Sequence, residues 1–235
     1  MIPVGVLGAS RERATSGGDL PVSGALGWWD FSDAATLTKS GSEITAVSDK
    51  SGNARTLAKY SGVVGPTAQV SSILGGSALG VAVFPNVNQA SLLGADGAFS
   101  SGYTIFTVAA KPDASGGPDV LNTQAGHAAY VSGSSLNIWR GSAASMVVPG
   151  GAYSDLFTAA TVHVFRVSGT TINYWLKLSG RITAAGTAPT TQGLRIGSDG
   201  ANGSNWHVGE VIAYQALGDT DRETVTNHLI TKWGI

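Results

Sequence analysis

Helical periodicity appears in one stretch of this chain, its last. Val225, Leu229 and Trp233 recur at helical spacing on one face, with Ile230 beside them. Thr220-Asp221-Arg222-Glu223 fits a capping box, so the pattern predicts a helix capped by Thr220 and closed at Gly234. Just before it, His207-Val208-Gly209-Glu210-Val211-Ile212-Ala213-Tyr214 reads as a buried strand. A chain whose helix comes only at its end must build its core from strands.

The rest of the sequence agrees. Tyr103-Thr104-Ile105-Phe106-Thr107-Val108-Ala109-Ala110 is apolar or β-branched almost throughout and predicts a core strand. Val162 to Val167 and Ile172 to Leu178 flank Ser168-Gly169-Thr170-Thr171, the best hairpin. Period two puts Ile172, Tyr174, Leu176 and Leu178 on one face and Asn173, Trp175 and Lys177 on the other, the outer one. Leu136-Asn137-Ile138-Trp139-Arg140 and Leu194-Arg195-Ile196-Gly197-Ser198 add strands. Asp49-Lys50-Ser51-Gly52-Asn53 is a turn in which Asp bonds its own downstream backbone. With 33 Gly and only 12% charged residues among 235, the composition is that of many short strands and tight turns.

Charge and cysteine bound the function. The net charge is −1 with no basic run, which excludes an electrostatic nucleic-acid footprint and polybasic membrane attachment. No cysteine is present, so neither disulfides nor thiolate metal sites hold the fold. Residues 1–20 read as an arm: an apolar start, charges at Arg11, Glu12 and Arg13, then a flexible Ser16-Gly17-Gly18-Asp19 joint. The arm reads as neither a signal peptide nor a membrane span. It is either a first strand with its loop or a peptide that docks on a partner protein. Residues 21–235 form the globular domain.

Three stretches in order carry a family resemblance. They are Leu26-Gly27-Trp28-Trp29-Asp30-Phe31 continuing to Leu37, Asp49-Lys50-Ser51-Gly52-Asn53, and Leu194-Arg195-Ile196-Gly197 with Gly209 to Tyr214 and the tail to Ile235. The chain resembles concanavalin A-like lectin/glucanase domains of the laminin-G-type jelly-roll group. It departs at Ala46-Val47-Ser48, where the family often carries a Trp. The resemblance implies an all-β fold: a two-sheet antiparallel jelly-roll sandwich with a short C-terminal α-helix. Domains of this kind occur in phage structural proteins, and the arm and absent cysteines look like that version.

Catalysis finds little support in the residues. A retaining glycosidase sets two carboxyl groups about 5 Å apart. Related glucanases supply theirs at alternating positions of one strand. The four Glu residues, Glu12, Glu43, Glu210 and Glu223, offer no such pair outside the helix cap. Glu210 is expected to bond nearby backbone or Arg. His127, His163, His207 and His228 are scattered, and no nucleophile elbow occurs. The expectation is a protein without catalytic residues or cofactor. Calcium is the one metal the family raises; Asp199, Asn202 and Asn205 could offer oxygens, but three fall short of the 6–8 calcium takes.

Sugar binding is the sharper expectation, because sugar faces stack on aromatic rings while amides read hydroxyls. Trp139 with Asn137, Trp175 with Asn173, and Trp206 after its Asn/Gly/Ser loop are the candidates. Trp28, Trp29 and Trp233 are expected in the core or under the helix. The sequence-level function is a virion-associated, non-enzymatic module, on tail or head. It would anchor to other virion proteins through its arm, stand in several copies or as a homo-oligomer, and touch host surface polysaccharide. The alternatives are a secreted, extracellular lectin and, behind it, a glucanase-like hydrolase.

Overall fold

The computed structural model describes residues 19–70, 74, 79–85, 91–99, 102–112, 119–123, 127–132, 135–140, 143–152, 159–185, 192–198 and 206–235. The arm before residue 19 and the Asp199, Asn202 and Asn205 loop lie outside them.

The strands in the first half are β1 (Gly27–Asp30), β2 (Leu37–Ser40), β3 (Glu43–Val47), β4 (Leu57–Lys59), β5 (Thr67–Val70), β6 (Gly80–Val83), β7 (Ser91–Phe99) and β8 (Gly102–Ala110). After them come β9 (Asp119–Thr123), β10 (His127–Ser132), β11 (Ser135–Arg140), β12 (Ala143–Ala152), β13 (Thr161–Ser168), β14 (Thr171–Leu176), β15 (Ser179–Ala185), β16 (Gln192–Ser198) and β17 (His207–Gln215). The helix α1 (Asp219–Trp233) closes the chain. Every pairing is antiparallel, and the fold is all-β with one terminal helix, as the sequence predicts.

One layer runs β1–β17–β8–β13–β14–β15. The other runs β2–β3–β4–β7–β16–β9–β10–β11–β12. β5 pairs with both β3 and β6, and β6 pairs with the start of β17, so this corner joins the layers. The core between them takes Trp29, Ile105, Phe165, Tyr174 and Val211 from the first layer and Ile44, Leu57, Leu93 and Ile196 from the second. This is the sandwich arrangement, with side chains of alternate strand positions meeting in the middle.

The first layer is apolar on both faces. Trp28, Phe106, Val164, Trp175 and Ile212 point outward, one position out of phase with the inner set, and α1 covers them with Val225, Leu229 and Trp233. Each such side chain taken from water is worth about 1.5–3 kcal/mol. The predicted helix face is therefore the one buried, and Gly234 ends α1 at φ 64°, in the left-handed region.

The cap differs from the sequence expectation. The N-cap is Gly218, whose side chain can accept nothing, and Thr220 lies within the first turn. Glu223 pairs with the neighbouring Arg222 guanidinium instead of closing a box. Asp219 and Asp221 supply first-turn negative charge in place of a side-chain cap. β14 also stops earlier than expected: Lys177 turns the chain at φ 50°, and Leu178 is exposed rather than on the buried face.

Candidate functional site

A β-bulge shapes the main polar feature. The register of β17 against β8 shifts between Val208 and Glu210, so Val208 and Val211 both enter the inner core. Glu210 is thereby turned to the outer face, opposite Val108 of β8 and Asp30 of β1. Asp30 and Glu210 are both fully buried.

Lys232 of α1 reaches down to bond both carboxylates, at 2.7 Å to Asp30 Oδ2 and 2.7 Å to Glu210 Oε2. Two indoles also donate to Glu210: Trp28 Nε1 to Oε1 at 2.6 Å and Trp233 Nε1 to Oε2 at 2.8 Å. Lys50 approaches Asp30 Oδ2 at 3.4 Å, bonds Asp33 at 2.9 Å, and lies 4.5 Å from the Trp28 ring centroid. Glu210 thus meets two indoles and a lysine, where backbone or Arg was expected.

The electrostatics follow from this geometry. Burial would raise the Asp30 pKa, but Lys232, the Ser32 hydrogen bond and Lys50 together hold it below the ordinary carboxylate value. Burial would likewise lower Lys232, and the two facing carboxylates push it up instead. The cluster ties helix to sheet; its two carboxylates are fully buried, while Lys232 and Lys50 keep part of their side chains in solvent.

Two openings lie on the same outer face. One, of about 240 Å³, runs beside Trp28, Lys50 and Ser51 and the chain from Asp19 to Ala25. The larger, of about 430 Å³, is lined by Arg166, Ser168, Thr171 and Asn173 of the β13–β14 hairpin and by the turn at Ala216, Leu217 and Gly218. Arg166 is fixed there by Leu217 O at 2.8 Å and Asp219 Oδ1 at 2.9 Å. Thr183 Oγ1 donates to Asn173 Oδ1 at 3.0 Å and sets that amide.

The predicted sugar-binding rings part company. Trp175 does lie on the outer face, but α1 covers it; only 3% of it is exposed, between the Arg166 and Arg222 guanidiniums. Trp206 is fully buried in the inner core, edge-on to His163 at 5.9 Å. Neither ring offers a face to a sugar. Trp139 and Asn137 fall within β11, whose side chains lie outside the description. Asn173 alone reaches an opening. Arg166, its cross-strand partner, went unnoticed from sequence, although period-two pairing across the hairpin would have found it. Among the described residues no cluster of three His, Asp or Glu side chains could hold a metal.

Comparison with known proteins rests on structure. No protein-family model matches the chain, and no curated protein matches it. Among solved structures, a sialidase from Trypanosoma rangeli superposes at TM-score 0.60 and 11% identity, over 92% of this chain and 34% of that one. Domain 4 of a GH43 extracellular arabinanase from Geobacillus stearothermophilus, in complex with arabinotriose, matches at TM-score 0.55 and 12% identity, over 87% of this chain and 98% of that one. At these identities the likeness is one of fold, an antiparallel β-sandwich. An arabinofuranosidase complexed with arabinofuranosyl-α-1,2-xylobiose matches at TM-score 0.54 and 13% identity, over 92% and 60% of the two chains. The chain thus spans about a third of the sialidase.

These neighbours correct one expectation. The sequence was read as that of a protein without catalysis, yet the structures it resembles are a sialidase, a domain of an arabinanase and an arabinofuranosidase, so that exclusion is withdrawn. The sequence marks no distant Asp as a partner for a Glu; the β1–β17 ladder sets Asp30 opposite Glu210. Both carboxylates are fully buried and bonded by Lys232.

Proposed function

We propose that this chain is a glycan-binding jelly-roll module of the laminin-G type, displayed on a phage particle where it touches host surface polysaccharide. The observation that carries the glycan half is the match to nearly the whole of an arabinanase domain solved with a trisaccharide bound. A domain of nearly the same extent, solved with a sugar, is a closer guide than a third of a larger enzyme. The β13–β14 cleft gives this chain an open, polar place of suitable size for such a ligand.

The virion half of the reading draws on the sequence. The chain has no cysteine and is near neutral, which suits a protein exposed outside a cell. Residues 1–20 would dock on a neighbouring virion protein, with the sandwich standing outward in several copies.

The test is a glycan array with the full chain, run beside an assay for reducing ends on the same oligosaccharides. Binding to a defined set of glycans is expected. An array without a hit overturns the glycan reading, and release of reducing ends would make the chain a hydrolase. Removing residues 1–20 should abolish incorporation into particles; unchanged incorporation overturns the anchoring role.

A further inference from the structure

The outer face of the β13–β14 hairpin changes character along its length. Val164 and Trp175 are cross-strand partners and lie buried beneath α1. Two positions on, the pair is Arg166 and Asn173, and beyond it Ser168 and Thr171. Period two keeps all three pairs on one face. The helix begins only at Asp219; Ser168 is exposed and Thr171 half-buried, Arg166 is 12% exposed and Asn173 is buried at the floor, and the four line the 430 Å³ cleft.

We infer that this cleft is a subsite for a neutral sugar, read through its hydroxyl groups; the inference rests on the glycan-binding reading above. Arg166 is the principal donor. Its side chain is 12% exposed, its Nη1 is held by Leu217 O and Asp219, and its guanidinium lies 4.8 Å from the Trp175 ring centroid. Nε and Nη2 have no hydrogen-bond partner among the described residues. A donor already immobilised loses little conformational freedom when a ligand arrives. Ser168 and Thr171 hydroxyls can both donate and accept, and the Leu217 carbonyl stands at the opposite wall. A sugar hydroxyl needs this mixture.

Charge decides the ligand class. Among the described residues lining the cleft Arg166 alone is charged, and Asp219 already pairs with it at 2.9 Å. Arg222, on the other guanidinium contact of Trp175, is matched by Glu223 at 2.8 Å. A uronate or sialate carboxylate drawn to Arg166 would come close to the Asp219 carboxylate that already pairs with that guanidinium. A neutral sugar meets no such repulsion.

The experiment uses the full chain on an array of neutral and of uronate- or sialate-bearing oligosaccharides, followed by titration calorimetry with the best hits. Ser168→Trp and Thr171→Trp fill the cleft from the hairpin end, where the chain is exposed or half-buried. Both should keep the wild-type melting temperature and lose neutral-glycan affinity at least tenfold, while Thr171→Ser retains it. If the wild type binds neutral glycans and both Trp variants bind them equally well, the subsite lies elsewhere; the glycan function survives and this inference falls. If acidic glycans bind and are lost in the variants while neutral ones are untouched, the assigned class is wrong. No binding by the wild type overturns the general reading, and this one with it.

Discussion

Asp30 and Glu210 stand directly opposite each other in the β1–β17 ladder, both fully buried, and the single ammonium of Lys232 bonds the two at 2.7 Å each. Like charges so placed would repel without it. The last turn of α1 is thus held to the sheet by charge as well as by Trp233.

Lys232→Met should therefore be much worse than a surface lysine change. It leaves two buried carboxylates compensated only by indoles, Ser32 and the more distant Lys50. The expected cost is about 3–5 kcal/mol, read as a fall in the urea midpoint. A loss no greater than that of a typical exposed ion pair, about 1 kcal/mol or less, would show that the cluster does not secure the helix.

The same cluster sets a pH window. Asp30 is depressed in the fold, so its contribution is present above the ordinary carboxylate value and is lost as pH falls through the folded one. Lys232 is raised, so its contribution is present below the ordinary lysine value and is lost as pH rises through the folded one. Melting temperature against pH should show a plateau bounded on both sides, and Asp30→Asn should flatten the acid shoulder.

His163 adds a second acid response at higher pH. Desolvation pushes its pKa down to about 3, and its Nδ1 sits 2.5 Å from the buried Tyr174 hydroxyl. The unfolded chain takes up a proton near pH 6.5 that the folded one refuses, so stability falls as pH drops below about 6.5 toward 3. His163→Gln should lower stability at neutral pH but make its decline between about pH 4 and 6.5 shallower. Parallel decline in both proteins would count against a buried neutral imidazole.

Gly209 lies at the bulge of β17, and a Cβ there would run into the Trp233 ring. Gly209→Ala should cost about 1–3 kcal/mol by overpacking. The variant should also lift α1 from the sheet, seen as faster hydrogen exchange in the helix than in β8.

Lys177 is the opposite case. It adopts φ 50° in the turn after β14, a region L-residues enter at a cost. Lys177→Gly removes that strain but gives the unfolded chain more freedom, so a net gain of no more than about 1 kcal/mol is expected. A measured loss would mean that the lysine side chain contributes contacts the turn geometry does not reveal.

Much of the scaffold was legible because its signals are local. Alternation in β8 and β14 separates inner from outer residues wherever the strand is regular, and Val225, Leu229 and Trp233 gave the helix face. The cap was misread for a local reason too: Thr220 and Glu223 have the right spacing, but the chain enters the helix two residues earlier at Gly218. The candidate rings were misread for a non-local reason. Polar neighbours placed Trp175 on the outer face correctly, yet could not say that α1 lies over it.

Sequence by itself determined the all-β class, the single terminal helix, the hairpin and the Asp49 turn, since each depends on neighbours within a few residues. Tertiary structure alone decided the rest. It inserted a bulge that turns Glu210 outward, brought Asp30 beside it from 180 residues away in the chain, and set Lys232 between them. It also ended the helix cover short of the hairpin tip, leaving a cleft lined by Arg166, Ser168, Thr171 and Asn173. Register and layer coverage are fixed by long-range packing, and no local pattern of residues encodes them.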